Sequence, residues 1–196
     1  MGRKRGHKKK RQIIGIYCEG KSEEQYFKML SQKYNARNVH SQKLNIKSLG
    51  ESGEKLITEA KLKGKNNNES KIYVVFDRDD KTIDDIQRCQ KIAKRKGVTI
   101  LFSSVSFEIW VLMHFEPVMR SYTRKQLTNK LSTKKYFNQD YEKFKGSSYR
   151  PYLYNKVQEA VKNANQLENF HSNMDKDDPY VNIHKYLKEI FRVDIL

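Results

Sequence analysis

Four short apolar runs, each followed by an amphipathic or apolar helical stretch, occupy the first hundred or so residues. This alternation constrains the fold more than any other feature of the chain. Residues 12–18 (QIIGIYC) are apolar and β-branched, as a buried strand requires. Ser22 then opens a helix, with Gln25 three residues on as in a capping box, and Tyr26, Phe27, Met29 and Leu30 supply its apolar stripe. Residues 44–49 read as a weaker strand, and a helix from about Gly53 carries Leu56, Ile57 and Ala60 before the polar loop 64–70 (GKNNNES). Residues 71–76 (KIYVVF) are the strongest strand signal. Thr82 caps the next helix, Ile83, Ile86, Ile92 and Ala93 line it, and Gly97 falls where a closing glycine belongs. Residues 98–102 (VTILF) make a fourth strand. Strands joined by helical crossovers pair in parallel and are covered on both faces, so the fold class is α/β.

Beyond Ser106 the pattern turns helical. Residues 107–115 (FEIWVLMHF) are apolar nearly all round and read as buried, with His114 as a satisfied core histidine. Residues 149–170 and 180–191 read as helices separated by the polar segment 171–179 (HSNMDKDDP), whose Asp175, Asp177 and Asp178 suit a loop and a helix cap. There is no internal repeat. The organisation expected is a basic tail at 1–11, an α/β core at 12–116, and a basic helical extension at 117–196 packed on that core. No apolar run approaches the ~18 residues of a membrane span, and no signal-peptide pattern follows the basic start. Cys18 and Cys89 lack any CxxC spacing, so neither disulfides nor a zinc ribbon are expected, and a cytoplasmic location is.

The net charge is +17, and the tail contributes seven basic residues and no acid; without it +10 remains. Between residues 117 and 139 there is no acid at all, whereas Arg120, Arg124, Lys125, Lys130, Lys134 and Lys135 are present. Tyr122, Tyr136, Phe137, Tyr141 and Phe144 lie in or beside that stretch. Basic residues interleaved with aromatics suit a polyanion whose bases can stack, so nucleic acid is the expected partner. Lys21, beside Gly20, would meet a phosphate on the same reading.

Two acidic clusters follow strands directly: Glu19-Gly20 with Glu23 and Glu24, and Asp77-Arg78-Asp79-Asp80. In open α/β sheets the working crevice lies beyond the carboxyl ends of the strands, so both clusters belong to the functional edge. If strands one and three are neighbours, their carboxylates converge and repel unless a cation neutralises them. Oxygen ligands of this kind suit Mg²⁺ or Mn²⁺. An extended Asp77-x-Asp79 would put both side chains on one face, and Gly20 would let a phosphate approach the backbone.

At these residues the chain resembles a known family. IYCEGKSEEQYF (residues 16–27) and VVFDRDD (residues 74–80) resemble the two signature motifs of a Toprim domain, shared by topoisomerases, primases and OLD-type nucleases. The likeness is closest to RloB-like proteins, whose pattern CEG-x-[ST]-E-x-x-YF is met by Cys18, Glu19, Gly20, Ser22, Glu23, Tyr26 and Phe27. A later segment of that family, SNPxFExWLLxHF, is matched at Phe107, Glu108, Trp110, His114 and Phe115, with Ser104-Val105 in place of Asn-Pro. DPYVNIHKYLKEI near the end resembles the closing segment, with Asn182 and His184 in register. A haloacid-dehalogenase phosphatase places its DxD after the first core strand, whereas here it follows the third.

The resemblance implies a four-stranded parallel Toprim-like sheet flanked by helices and Mg²⁺-dependent phosphodiester chemistry. It makes Glu19 the acid/base or metal-ligating glutamate, Asp77 and Asp79 the metal ligands, and Glu23 the additional carboxylate of the nuclease branch. Asp80, Glu108, His184 and Gly20 are accessory candidates, with Ser106 as an N-cap before Glu108. It further implies a role in bacterial phage defence beside an ABC-type ATPase. The function expected is therefore a metal-dependent nuclease acting on RNA, possibly tRNA, or on DNA. RNA is preferred because an effector of this size needs no duplex-opening machinery. The alternative is a non-catalytic nucleic-acid-binding or sensor subunit whose partner ATPase does the work.

Overall fold

The computed structural model describes residues 12–35 and 42–193; the expected basic tail at 1–11 lies outside them. Along the chain run β1 (Ile13–Cys18), α1 (Lys21–Leu30) with a π-helical turn at Ser31–Asn35, and β2 (Lys43–Ser48). Then come α2 (Gly53–Asn66), β3 (Lys71–Asp77), α3 (Ile83–Lys96), β4 (Thr99–Ser104) and α4 (Glu108–Met113). Three short helices follow, α5 (Arg124–Ser132), α6 (Tyr141–Phe144) and α7 (Arg150–Leu153), and then α8 (Val157–Glu168), β5 (Tyr180–Val181) and α9 (His184–Phe191).

The sheet has the order β2-β1-β3-β4-β5. Its first four strands are parallel, and β1 lies between β2 and β3. Side chains alternate across it, as the period of two dictates. Ile14, Ile16, Cys18, Tyr73, Val75 and Leu101 point into the larger core, under α1, α4 and the C-terminal helices. Tyr17, Ile72, Val74, Phe76, Ile100 and Phe102 face the smaller core with α2 and α3. No helix among the described residues is long and apolar enough to cross a membrane, and both cysteines are free and buried.

The sheet has five strands rather than four. Residues 180–181, expected to begin a helix, pair antiparallel with β4 instead. Asn182 extends that ladder with its side chain: Oδ1 accepts from Phe102 N–H at 2.7 Å and Nδ2 donates to Ile100 O at 3.1 Å. The helix expected over 149–170 is broken at 154–156, where Lys156 N–H closes a turn on Leu153 O at 2.9 Å. The loop expected from Gly64 starts three residues later, because α2 runs to Asn66. Thr82 and Gly97 do cap α3, the latter in the left-handed region (φ 63°).

Two local expectations are corrected at the functional edge. α1 starts at Lys21, not after Ser22, and the residue reaching back is Glu23 rather than Gln25: its Oε2 accepts from Gly20 N–H at 3.1 Å. Ser106 caps nothing with its side chain, whose hydroxyl is buried with no hydrogen-bond partner among the described residues; its carbonyl bonds the helix, accepting from Ile109 N–H at 3.1 Å.

The aromatics of the basic stretch are not a stacking platform. Tyr136, Phe137, Tyr141, Phe144 and Tyr149 are buried in the larger core. Phe137 lies 4.9 Å from both Tyr141 and Phe144, centroid to centroid. Packing these rings together removes more apolar surface from water than displaying them would; only Tyr122 stays half-exposed, with Arg120 stacked 4.6 Å from its ring.

Candidate metal centre

The register of three strands builds the site. β1 ends at Cys18, and the next residue, Glu19, donates its N–H to Val75 O of β3 at 2.9 Å. Glu19 is thereby laid beside the end of β3, where Asp77 stands in register with Ser103 of β4. Asp77 follows the parity of Tyr73 and Val75, so its carboxylate turns towards the larger core. Asp79 is not extended, as the DxD reading required: it takes a left-handed backbone (φ 48°) and donates its N–H to Val105 O at 3.1 Å. An aspartate tolerates that conformation better than most residues, and the turn still delivers its carboxylate to the same place. One carboxylate oxygen each of Glu19, Asp77 and Asp79 lie within 4.8 Å of one another.

These three carboxylates line a cavity of about 190 Å³ shared with Gly20, Ser22, Glu23, Ser106, Phe107, Glu108, Arg124 and Lys145. Five acids thus converge, and two of them, Glu23 and Glu108, are only 6% exposed. Donors are few. Glu19 Oε2 accepts from Ser52 Oγ at 2.7 Å, and Asp77 Oδ2 accepts from Phe107 N–H at 3.2 Å. Lys145 Nζ lies 3.4 Å from Glu108 Oε1, and Arg124 pairs with Asp79. Asp77 Oδ1 is buried with no hydrogen-bond partner among the described residues.

The electrostatics follow. Burial, then repulsion from Glu19, Glu23 and Glu108, pushes the Asp77 carboxyl up to about 8. Burial, then Glu108 and Glu19, pushes Glu23 up to about 7. An unpartnered buried carboxylate oxygen amid like charges is costly unless a positive charge joins it. The donor set is all oxygen, so Glu19, Asp77 and Asp79 suit a hard metal ion.

Other expected site residues are placed as follows. Gly20 lines the cavity, whereas Asp80 is exposed and outside it. His184 is brought to Glu168 instead: its Nε2 lies 3.0 Å from Glu168 Oε2, behind the Asn182 ladder and away from the carboxyl ends of the strands. Lys21 is exposed and bonded to Glu24 at 3.0 Å. Arg120, Lys125 and Lys134 are exposed, while Lys130 and Lys135 are held by Glu116 at 2.7 Å each. His114 is a core residue: Nδ1 donates to Trp110 O at 2.9 Å, Nε2 meets Tyr26 Oη at 3.1 Å, and burial pushes its pKa down to about 3. Asp175, Asp177 and Asp178 do not reach the cavity.

The sequence reading missed Lys145, Ser52 and the unpartnered Ser106 hydroxyl. Lys145 precedes Gly146, whose left-handed backbone (φ 79°) turns the chain at the mouth of the site. A Lys-Gly pair after an aromatic run was the only local signal.

The model of one protein family, described as RloB-like protein, matches residues 14–190. No curated protein and no solved structure matches.

Proposed function

This chain belongs to the RloB-like family, and from that premise and the site's geometry we propose that it is a Mg²⁺- or Mn²⁺-dependent nuclease with a Toprim-like core. The observation that carries the proposal is the convergence of Glu19, Asp77 and Asp79 within 4.8 Å, one of them, Asp77, having a buried carboxylate oxygen with no hydrogen-bond partner among the described residues. Glu19, Asp77 and Asp79 would hold the cation. Such a cation supplies activation of a phosphate and of water for in-line attack.

The chain's own groups have distinct tasks. Glu23, oriented by the bond from Gly20 N–H to its Oε2, would accept a proton from the attacking water. Its raised pKa, near 7, suits exchange of that proton at neutral pH. Lys145 and Arg124 offset the negative charge of an incoming phosphodiester. Exposed Arg120, Lys125 and Lys134 hold the flanking backbone, which makes binding strongly salt-dependent. RNA, tRNA among it, is the favoured substrate over DNA, and an ABC-type ATPase is the proposed partner in an anti-phage role.

The test is cleavage of labelled total tRNA, single-stranded DNA and plasmid with Mg²⁺, Mn²⁺ or EDTA, beside the Asp77→Ala/Asp79→Ala double variant. Products in metal lanes of the wild type alone are expected. No cleavage in any lane, including lanes supplied with the ATPase, would leave the alternative: a nucleic-acid-binding or sensor subunit.

A further inference from the structure

Arg124 is the first residue of α5, a position with the wrong polarity for it. A helix N-terminus carries partial positive charge and disfavours a cation, and the first turn of α5 has no acid to offset this. The helix end is nevertheless fixed. Thr123 N–H donates to Gln126 Oε1 at 2.8 Å, Gln126 N–H donates to Thr123 Oγ1 at 3.2 Å, and Leu127 and Leu131 are buried in the core. The guanidinium is ion-paired with Asp79, one of the three converging carboxylates. Its side chain is 45% exposed and that of Asp79 is 31% exposed, so the pair sits at the mouth of the cavity rather than its floor.

A guanidinium and a divalent cation on the same carboxylate would face each other within a few ångströms in a partly desolvated site, where like charges repel strongly. We propose that Arg124 is an exchangeable counter-ion. It holds Asp79 while no divalent cation is bound, releases it when a cation takes Glu19, Asp77 and Asp79, and then takes a phosphate oxygen of the entering nucleic-acid backbone. The inference rests on the cation reading above and adds its regulation: the metal and the polyanion bind cooperatively, through one side chain. The planar fork of N–H donors fits carboxylate and phosphate alike, which an ammonium does not. Lys145, the other cation of the cavity, is held by Glu108 and Glu142 at 3.4 Å each, neither of them in the metal-ligand triad. Reciprocity follows from thermodynamics: a phosphate that draws Arg124 away from Asp79 raises metal affinity by the factor with which the metal raises phosphate affinity.

The experiment measures Mn²⁺ affinity by paramagnetic resonance of the free ion, for wild type, Arg124→Gln and Arg124→Lys. Each is measured alone and with hydrolysis-resistant phosphorothioate RNA and DNA 12-mers, whose own binding is followed by fluorescence anisotropy. Arg124→Gln is expected to bind Mn²⁺ about fivefold more tightly than wild type, the upper range for a surface ion pair no longer broken. It is also expected to lose the Mn²⁺-dependent gain in oligonucleotide affinity that wild type shows. Arg124→Lys should keep near-wild-type Mn²⁺ affinity and lose most of that gain. Wild type that binds Mn²⁺ with Arg124→Gln no tighter, or with the oligonucleotide gain intact, overturns the exchange alone. Wild type that binds no Mn²⁺ overturns the cation reading and the exchange with it. Near-ultraviolet dichroism of the variants checks that both remain folded, as expected for a half-exposed side chain.

Discussion

In the segment 171–179 every aspartate has a donor. Asp175 Oδ2 accepts from Gln87 Nε2 at 2.7 Å, Asp177 Oδ2 from Asn173 N–H at 2.7 Å, and Asp178 Oδ1 from Ser104 Oγ at 3.0 Å. At the ends of β1 and β3 the acids are as dense, yet Asp77 Oδ1 has no donor among the described residues, and Asp77 and Glu23 hold their protons far above the usual carboxylate range. The two regions are separated by one residue's reach. Arg78, between Asp77 and Asp79, donates Nε to Ser104 Oγ at 2.8 Å and Nη2 to Met174 O and Asp175 O at 3.1 and 3.0 Å. Acid density therefore does not distinguish a ligand site from a tied loop; the supply of donors does. Loop acids satisfied by the chain stabilise the fold, whereas acids left short of donors destabilise it until something outside the chain completes them.

The largest effect expected from that contrast is on cleavage. Asp77→Ala with Asp79→Ala should reduce it to background, and Asp175→Ala with Asp177→Ala should leave it within about threefold, since groups remote from the reacting phosphate contribute little to differential transition-state binding. Equal losses in both pairs, measured on the same labelled substrate, would erase the distinction. Next in size is Arg78→Ala. It removes three charge-assisted bonds that pin the loop to the sheet and should cost about 2–3 kcal/mol, read as a shift of the urea midpoint at unchanged slope.

The pH dependence of the metal-free protein sharpens the comparison from the other side. An acid whose pKa is higher folded than unfolded binds its proton more tightly in the folded state. Its contribution is complete below the ordinary value and declines as pH rises through the folded one. For Asp77 that window runs from 3.8 to about 8, and for Glu23 from 4.5 to about 7. Thermal stability in EDTA should therefore fall between pH 5 and pH 8 as these groups ionise. Excess Mn²⁺, which binds only the ionised set, should offset most of that fall and raise the midpoint most at pH 8. Parallel melting curves with and without Mn²⁺ across this range would refute the assignment of these carboxylates to a cation.

Much of this was legible in the sequence because it is local. The short apolar runs and the Thr82 and Gly97 caps identify four strands and a capped helix from neighbouring residues alone. The adjacency of the Glu19 and Asp77 strands is only a condition at that level, since a parallel sheet allows other orders; the order β2-β1-β3-β4-β5 meets it. What was not legible depends on contacts distant in sequence. β5 is two residues long, too short for any periodicity, and is recognisable only through its pairing with β4, which Asn182 prolongs across 80 positions. Arg124 reaches the cavity from the start of α5 and Lys145 from just past the end of α6, and no spacing ties them to Asp79 or Glu108. The basic stretch with its aromatics misled for the same reason: whether a Tyr or Phe stacks on a base or on Phe137 depends on what folds over it.

The smallest effect is a matched pair of opposite sign. Asp175 is half-buried and bonded by Gln87, which lowers its pKa. A depressed carboxyl stabilises the fold above its ordinary value near 3.8, and the gain is lost as pH falls through the folded value. Asp175→Asn should therefore cost stability at pH 7, by no more than about 0.5 kcal/mol for a loop carboxylate with one neutral side-chain donor. Asp77→Asn keeps the shape and an acceptor for Phe107 N–H while removing a charge that its neighbours repel, so in EDTA it should raise stability at pH 8 and change little at pH 5. Adding Mn²⁺ should reverse the order of Asp77→Asn and wild type at pH 8 and leave Asp175→Asn unmoved relative to wild type. A stabilisation of both variants, or of neither, in EDTA at pH 8 would mean that donor supply does not separate the two acidic regions after all.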